Sequence, residues 1–190
     1  MTWGPLTTRP AAPPDWVIEQ ARKAALKSPC LKSRRGVALF DPALEARRVA
    51  GTIGSLEREM IVPAVGFNGP PDDERFVCTG TAECRRDCAK LCLHAEDRAI
   101  RAAGDVWFSR LDLVHVKVVD GKVVPGGGPS CWQCSRVVVE VGLHGVWLLM
   151  TIGQNYNLDL AGQWRFYTPP LEPSTSMPGV PGCWKGQRVA

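Results

Sequence analysis

Two stretches of the chain carry residues able to do chemistry together: LCLHAEDRAI, from Leu91 to Ile100, and GGGPSCWQCSR, from Gly126 to Arg136. His94 and Glu96 stand two apart at the head of one expected helix. Cys131 and Cys134 stand at i and i+3 at the head of another, so both sulfurs fall on one helical face. One imidazole and two thiolates give zinc three protein ligands and leave the fourth position open to water, as in a catalytic rather than a structural site. Glu96 is a carboxylate beside that position with no need to ligate. A single carboxylate that takes up a proton and returns it suits a hydrolytic reaction.

The elements that must position these residues follow from periodicity and turn chemistry. A helix is expected over DWVIEQARKAALKS with Asp15 as its N-cap, and Pro29 ends it. Gly36 to Phe40 reads as a first strand, Ala43 to Val49 as a short helix, and Met60 to Phe67 as a second strand before the turn material Asn68 to Asp73. His94 to Ala103 is the first site helix, stopped at Gly104. Leu113 to Val119 alternates as a strand, and Asp120-Gly121 is a two-residue hairpin turn into Lys122 to Val124. Cys131 to Val141 is the second site helix, Gly145 to Thr151 a buried strand, and Gln163 to Tyr167 a last strand expected at an edge. The order predicts a mixed sheet with helices packed on it, and both site helices begin where strands or their loops end.

At 190 residues the chain is about one domain long. Residues 1–14 read as a loose arm, 15–168 as the catalytic domain with a cysteine-rich insert at 76–92, and 169–190 as a Pro/Gly-rich tail. The net charge of +4 suits an anionic substrate and falls short of the dense basic stripe of a dedicated nucleic-acid binder. No apolar run reaches the ~20 residues of a membrane span, and the first residues lack a signal-peptide core, so a cytoplasmic location is expected. Eight cysteines in such a setting favour metal ligation over disulfides.

Four pieces spread over Ser28 to Met150 resemble the cytidine deaminase superfamily, and most closely its deoxycytidylate deaminases. Ser28-Pro29-Cys30 followed by Gly36-Val37-Ala38 is similar to that family's S-x-C and VGA segments. Gly66-Phe67-Asn68-Gly69-Pro70-Pro71 is similar to its G-Y-N-G-x-P loop. HAEDRAI and PSCWQCSR match its H-x-E and P-C-x-x-C motifs, with Ser130 separating Pro129 from Cys131. The resemblance implies a three-layer α-β-α fold with a mixed sheet of about five strands and helices on both faces. It implies His94, Cys131 and Cys134 as zinc ligands, Glu96 as proton shuttle, Asn68 as a contact to the sugar, and the backbone around Ala95 and Ser130 as contacts to the pyrimidine. Departures are the hairpin and GGG before the cysteine motif, and no helix in the sequence between Met150 and Trp164; the C-terminal strands are expected to pair as an antiparallel hairpin instead.

The implied reaction converts the cytosine amino group to a carbonyl, on a free nucleotide such as dCMP. The alternatives are a polynucleotide deaminase acting on cytosine or adenine in single-stranded or flipped form, and a zinc-stabilised binding module without activity. Cys78, Cys84, Cys88 and Cys92, at spacings x5, x3 and x3, form either a second, structural zinc site or a set of buried thiols, and Cys30 can join them. The resemblance also implies such an extra zinc. Trp132 either stacks on a base or packs as a buried aromatic. Arg34, Arg35, Arg85 and Arg86 either bind a phosphate or lie as solvated surface, and for any one of them the surface reading is preferred. His115 and His144 have no companions at ligand spacing and read as structural. A homo-oligomer is expected by analogy alone.

Overall fold

The computed structural model describes residues 10–70, 78–84, 92–126, 132–151, 162–168 and 185–187. Helix α1 is Asp15–Leu26, followed by strand β1 at Arg34–Phe40 and helices α2 at Pro42–Val49 and α3 at Ser55–Glu59. Strand β2 is Ala64–Phe67, helix α4 Ala95–Ala103, strand β3 Asp112–Val119 and strand β4 Lys122–Val124. Helix α5 is Trp132–Glu140, followed by strands β5 at Gly145–Thr151, β6 at Gly162–Thr168 and β7 at Lys185–Gln187.

The strands form one sheet in the order β2-β1-β3-β5-β6-β7, with β4 folded back onto the end of β3. β3 and β5 run parallel and every other pair is antiparallel. The crossover between the two parallel strands is the segment that carries α5, as parallel pairing requires. The mixed sheet and the antiparallel β5–β6 pair accord with expectation. β6 is not at an edge, because Lys185–Gln187 of the expected tail pairs with it as β7.

Both faces of the central strands are covered. Val17, Ala21 and Ala25 of α1 pack on Ala38, Phe40, Val114, Val116 and Trp147. On the opposite face Ala95 and Ala99 of α4 and Val138 of α5 pack on Val37, Leu39, Leu113 and Leu148. Alternate residues of each strand therefore point to different helical layers. α1 lies against the backbone of β1, since a Cβ on Gly36 would stand 2.0 Å from the Ala21 carbonyl oxygen. Only glycine admits a helix at that depth.

Three local expectations are corrected. Pro14 occupies the N-cap of α1, and Asp15 is its first helical residue, where the carboxylate still complements the helix dipole. The second strand begins at Ala64 rather than Met60, because Pro63 has no N–H for a ladder and Ile61 is drawn into a separate small cluster with Leu44 and Ile53. Ser55–Glu59, outside the elements expected from the sequence, is the short helix α3, with Glu57 accepting the Gly54 N–H at 3.0 Å. The Asp120-Gly121 turn forms as expected, with both residues at positive φ (49° and 76°), the pattern of a type I′ hairpin.

Candidate active site

The site is built on the first turn of α4. Gly69 and Leu93 exchange backbone hydrogen bonds of 3.1 and 2.8 Å, which tie the end of the β2 segment to the residue before His94. His94 then takes the N-cap position in extended conformation, and its side chain does not cap the helix. Its imidazole is thereby available to point away from the helix end. Arg98, one turn on, donates to the Pro70 carbonyl at 2.8 Å and stacks over the Phe67 ring at 4.5 Å, fastening α4 to the loop that follows Asn68.

α4 buries Ala95, Glu96, Ala99 and Ile100, so Glu96 lies on the sheet side of the helix rather than in solvent. It is only 4 % exposed, which for a carboxylate demands polar company. Cys134 supplies some of it from α5, with Sγ 3.5 Å from Glu96 Oε2 and 3.1 Å from His94 Nδ1. His94, Glu96 and Cys134 each bring one ligand atom within 4.8 Å of the others, and they are the only such trio among the described residues. Zinc at its usual bond lengths holds a nitrogen and a sulfur about 3.6 Å apart. The His94 and Cys134 donors stand close to that spacing, and an imidazole with thiolate is the donor chemistry zinc takes. The residues present fit the metal.

Cys131 and Ser130 lie outside the described residues, as does Cys88; Trp132 opens α5, and its side chain is not described. Ala95 is buried at the first position of α4, between His94 and Glu96. Asn68 lies one residue before the Gly69–Leu93 bridge. Its amide carries local structure, since Oδ1 accepts from the Arg35 N–H at 2.7 Å and the Ser28 hydroxyl at 3.0 Å while Nδ2 donates to the Ser33 carbonyl at 2.8 Å. Arg35 reaches the other site helix's approach, donating to the Gly126 carbonyl at 3.2 Å.

A cavity of about 380 Å³ opens beside the trio, lined by Cys92, Leu93, His94, Gln133, Cys134 and Val137 among others. Its size is that of a small-molecule site. Two ion pairs flank it, Arg101–Asp97 on α4 and Arg136–Glu140 on α5.

The cysteine-rich insert divides. Cys78 and Cys84 bring their sulfurs to 3.7 Å, and the Leu31 N–H donates to Cys78 Sγ at 3.4 Å. Burial pushes the Cys78 thiol up, with the nearby Cys30 adding to the effect, while N–H groups of Gly80 and Thr79 hold the Cys84 thiol down. Cys92 lines the cavity beside His94.

One residue read as structural has a companion after all. His115, in the middle of β3, places Nδ1 3.4 Å from Glu96 Oε1. Because β3 is buried on both faces, apolar alternation gave no sign of which helical layer His115 meets. His144 is structural as expected, its Nδ1 lying 2.7 Å from Asp112 Oδ1.

No protein-family model matches the chain, and no curated protein matches it in sequence. Among solved structures it is similar to a dCMP deaminase from the cyanophage S-TIM5 in its apo form, at 17 % identity and a TM-score of 0.42, over 68 % of this chain and 75 % of that one. The same phage enzyme in complex with dCMP and dUMP gives 17 % identity and a TM-score of 0.44, over 68 % and 74 % of the two chains. A cytidine deaminase from Burkholderia pseudomallei gives 19 % identity and a TM-score of 0.43, over 78 % and 90 %.

Proposed function

We propose that the protein is a zinc-dependent hydrolase that converts a cytosine amino group to a carbonyl, acting on a free nucleotide such as dCMP. The observation that supports this is the convergence of His94, Glu96 and Cys134 within 4.8 Å, with His94 and Cys134 lining a cavity. His94 Nδ1, Cys134 Sγ and Cys131 would hold the zinc. When bound, the metal supplies a water acidic enough to lose its proton near neutral pH.

Glu96 is the group that moves protons. It accepts one from water as oxygen is added to C4 of the ring and delivers it to N3, then accepts a second from the new C4 hydroxyl and delivers it to the departing amine. Cytosine and water thus become uracil and ammonia, and the carboxylate ends as it began. Its burial suits the task, because proton transfers in a water-poor site do not leak to solvent. The Gly69–Leu93 bridge holds the loop carrying Asn68 beside His94, where it would border the sugar; the backbone near Ala95 and Ser130, with Trp132, would border the pyrimidine. The 3.7 Å approach of the Cys78 and Cys84 sulfurs supports a second metal of structural role.

No helix among the described residues is long and apolar enough to cross a membrane. The test is ammonia release by the zinc-loaded protein on dCMP, CMP, dCTP, deoxycytidine and a cytosine-containing oligonucleotide. Turnover of the free nucleotides, with dCMP the best, is expected. Turnover of the oligonucleotide alone would make the protein a nucleic-acid deaminase instead.

A further inference from the structure

Among the described residues, the imidazole of His115 is the one buried polar side chain beside the proposed reaction centre that neither ligates nor shuttles protons in that reading. β3 presents Leu113 to α4 and α5 and presents Val114 and Val116 to α1, so His115 faces the same layer as Leu113. Its strand partners are Val37 on β1 and Leu148 on β5, both fully or nearly buried. A histidine set among such residues costs stability unless it meets a specific partner. Glu96 is that partner, with Oε1 3.4 Å from Nδ1.

The two ring nitrogens are not equivalent. Nε2 is buried and has no hydrogen-bond partner among the described residues. A proton on Nε2 would bury an unsatisfied N–H and turn the lone pair of Nδ1 toward a carboxylate oxygen. A proton on Nδ1 faces the carboxylate oxygen across the 3.4 Å contact and leaves only a lone pair without a partner, the smaller penalty. Burial, reinforced by Arg35 and His94 and opposed by Glu96, holds the ring below the usual imidazole range, so it is neutral near pH 7.

We propose that His115 is a positioning residue, a neutral Nδ1–H donor that anchors Oε1 of Glu96 so that Oε2 is the oxygen turned to Cys134 and the metal ligands. Oε2 lies 3.5 Å from Cys134 Sγ, so the two carboxylate oxygens have separate neighbours. Anchoring one oxygen fixes the side-chain torsions and presents the other in one orientation through successive proton transfers. The catalytic meaning of the anchor rests on the deaminase reading. The tautomer and the contact do not.

Two measurements test it. The chain has three histidines, so long-range proton–nitrogen spectra of the zinc-loaded full-length protein resolve each ring. The expected result is an Nδ1–H tautomer for His115 whose Nδ1 resonance moves on Glu96→Gln while that of His144 stays; an Nε2–H ring, or a resonance indifferent to Glu96→Gln, overturns the proposal. In the second, His115→Leu fills the site without a donor, and His115→Asn keeps an N–H near the place of Nδ1. The expected loss in kcat for His115→Leu is ~10- to 100-fold, with KM and zinc content near wild type and most of the loss recovered in His115→Asn. Equal activity in the two variants, or a loss that falls on KM or on zinc, overturns it. If the wild-type protein turns over none of the nucleotides, the deaminase reading fails, and the spectra alone decide the anchor.

Discussion

The Cβ that Gly66 lacks would lie 2.2 Å from the carbonyl oxygen of Ala95 and 2.5 Å from the amide nitrogen of Ala99. α4 is therefore seated on the backbone of β2, and the residue it rests on is flanked by His94 and Glu96. The depth of this contact sets how far both side chains project toward α5. Gly66→Ala is expected to destabilise the fold by about 3 kcal/mol and to weaken zinc binding, since neither backbone can yield without shifting a layer. Gly54→Ala is the control, because its Cβ would meet only Glu57 Oε2, at 3.6 Å, and its change should stay within about 0.5 kcal/mol. Urea unfolding and zinc titration of the two variants check both statements.

His94 and Cys134 come from different helices and meet at 3.1 Å, so neither keeps a metal without the other. His94→Ala and Cys134→Ala are each expected to lose the catalytic zinc and all turnover. Far-ultraviolet circular dichroism should still report a folded chain, because the three hydrophobic clusters do not depend on the metal. Elemental analysis alongside the spectra decides it.

Asp112 begins β3, three residues before His115 toward the end of the strand away from β4. Its carboxylate is 2 % exposed and accepts the Trp147 indole N–H at 3.0 Å, with His144 Nδ1 at 2.7 Å on its other oxygen. Asp112→Ala strands a buried indole N–H and should cost about 2 kcal/mol in denaturant unfolding. Zinc content and KM should remain those of the wild type, since among the described residues Asp112 bonds to Trp147 and His144 and to no residue of the proposed site.

Cys78 and Cys84 predict a second, removable metal. Zinc-loaded wild type should carry two zinc ions per chain, and Cys78→Ser should carry one while retaining turnover of dCMP. A single zinc in the wild type, unchanged in Cys78→Ser, would assign these sulfurs to packing.

Much of this architecture is written locally. The bounds of β5 and the hairpin between β3 and β4 follow from an apolar run and from Asp120-Gly121, which dictate structure over a few residues. His94, Glu96 and Cys134 were legible because ligand chemistry constrains residue type and spacing together. The beginning of β2 was not, because Met60 and Ile61 continue an apolar pattern, yet Met60 is exposed and Ile61 packs on Leu44 and Ile53. Nor was β7, whose three residues owe their pairing to β6 rather than to any strand propensity of Lys185-Gly186-Gln187. The role of His115 was hidden for a different reason. Alternation sets His115 on one face of β3, but a strand covered on both faces does not tell which helix that face meets.

The most direct test of the central claim compares zinc-loaded wild type with Glu96→Gln on dCMP, measuring ammonia, dUMP and zinc in the same samples. The account predicts dUMP and ammonia in equal amounts from the wild type. It predicts full zinc but at least a ~100-fold lower kcat in Glu96→Gln, where the amide cannot take up and return a proton. Near-normal turnover by Glu96→Gln would contradict the assignment of Glu96 as the proton shuttle, and with it the mechanism.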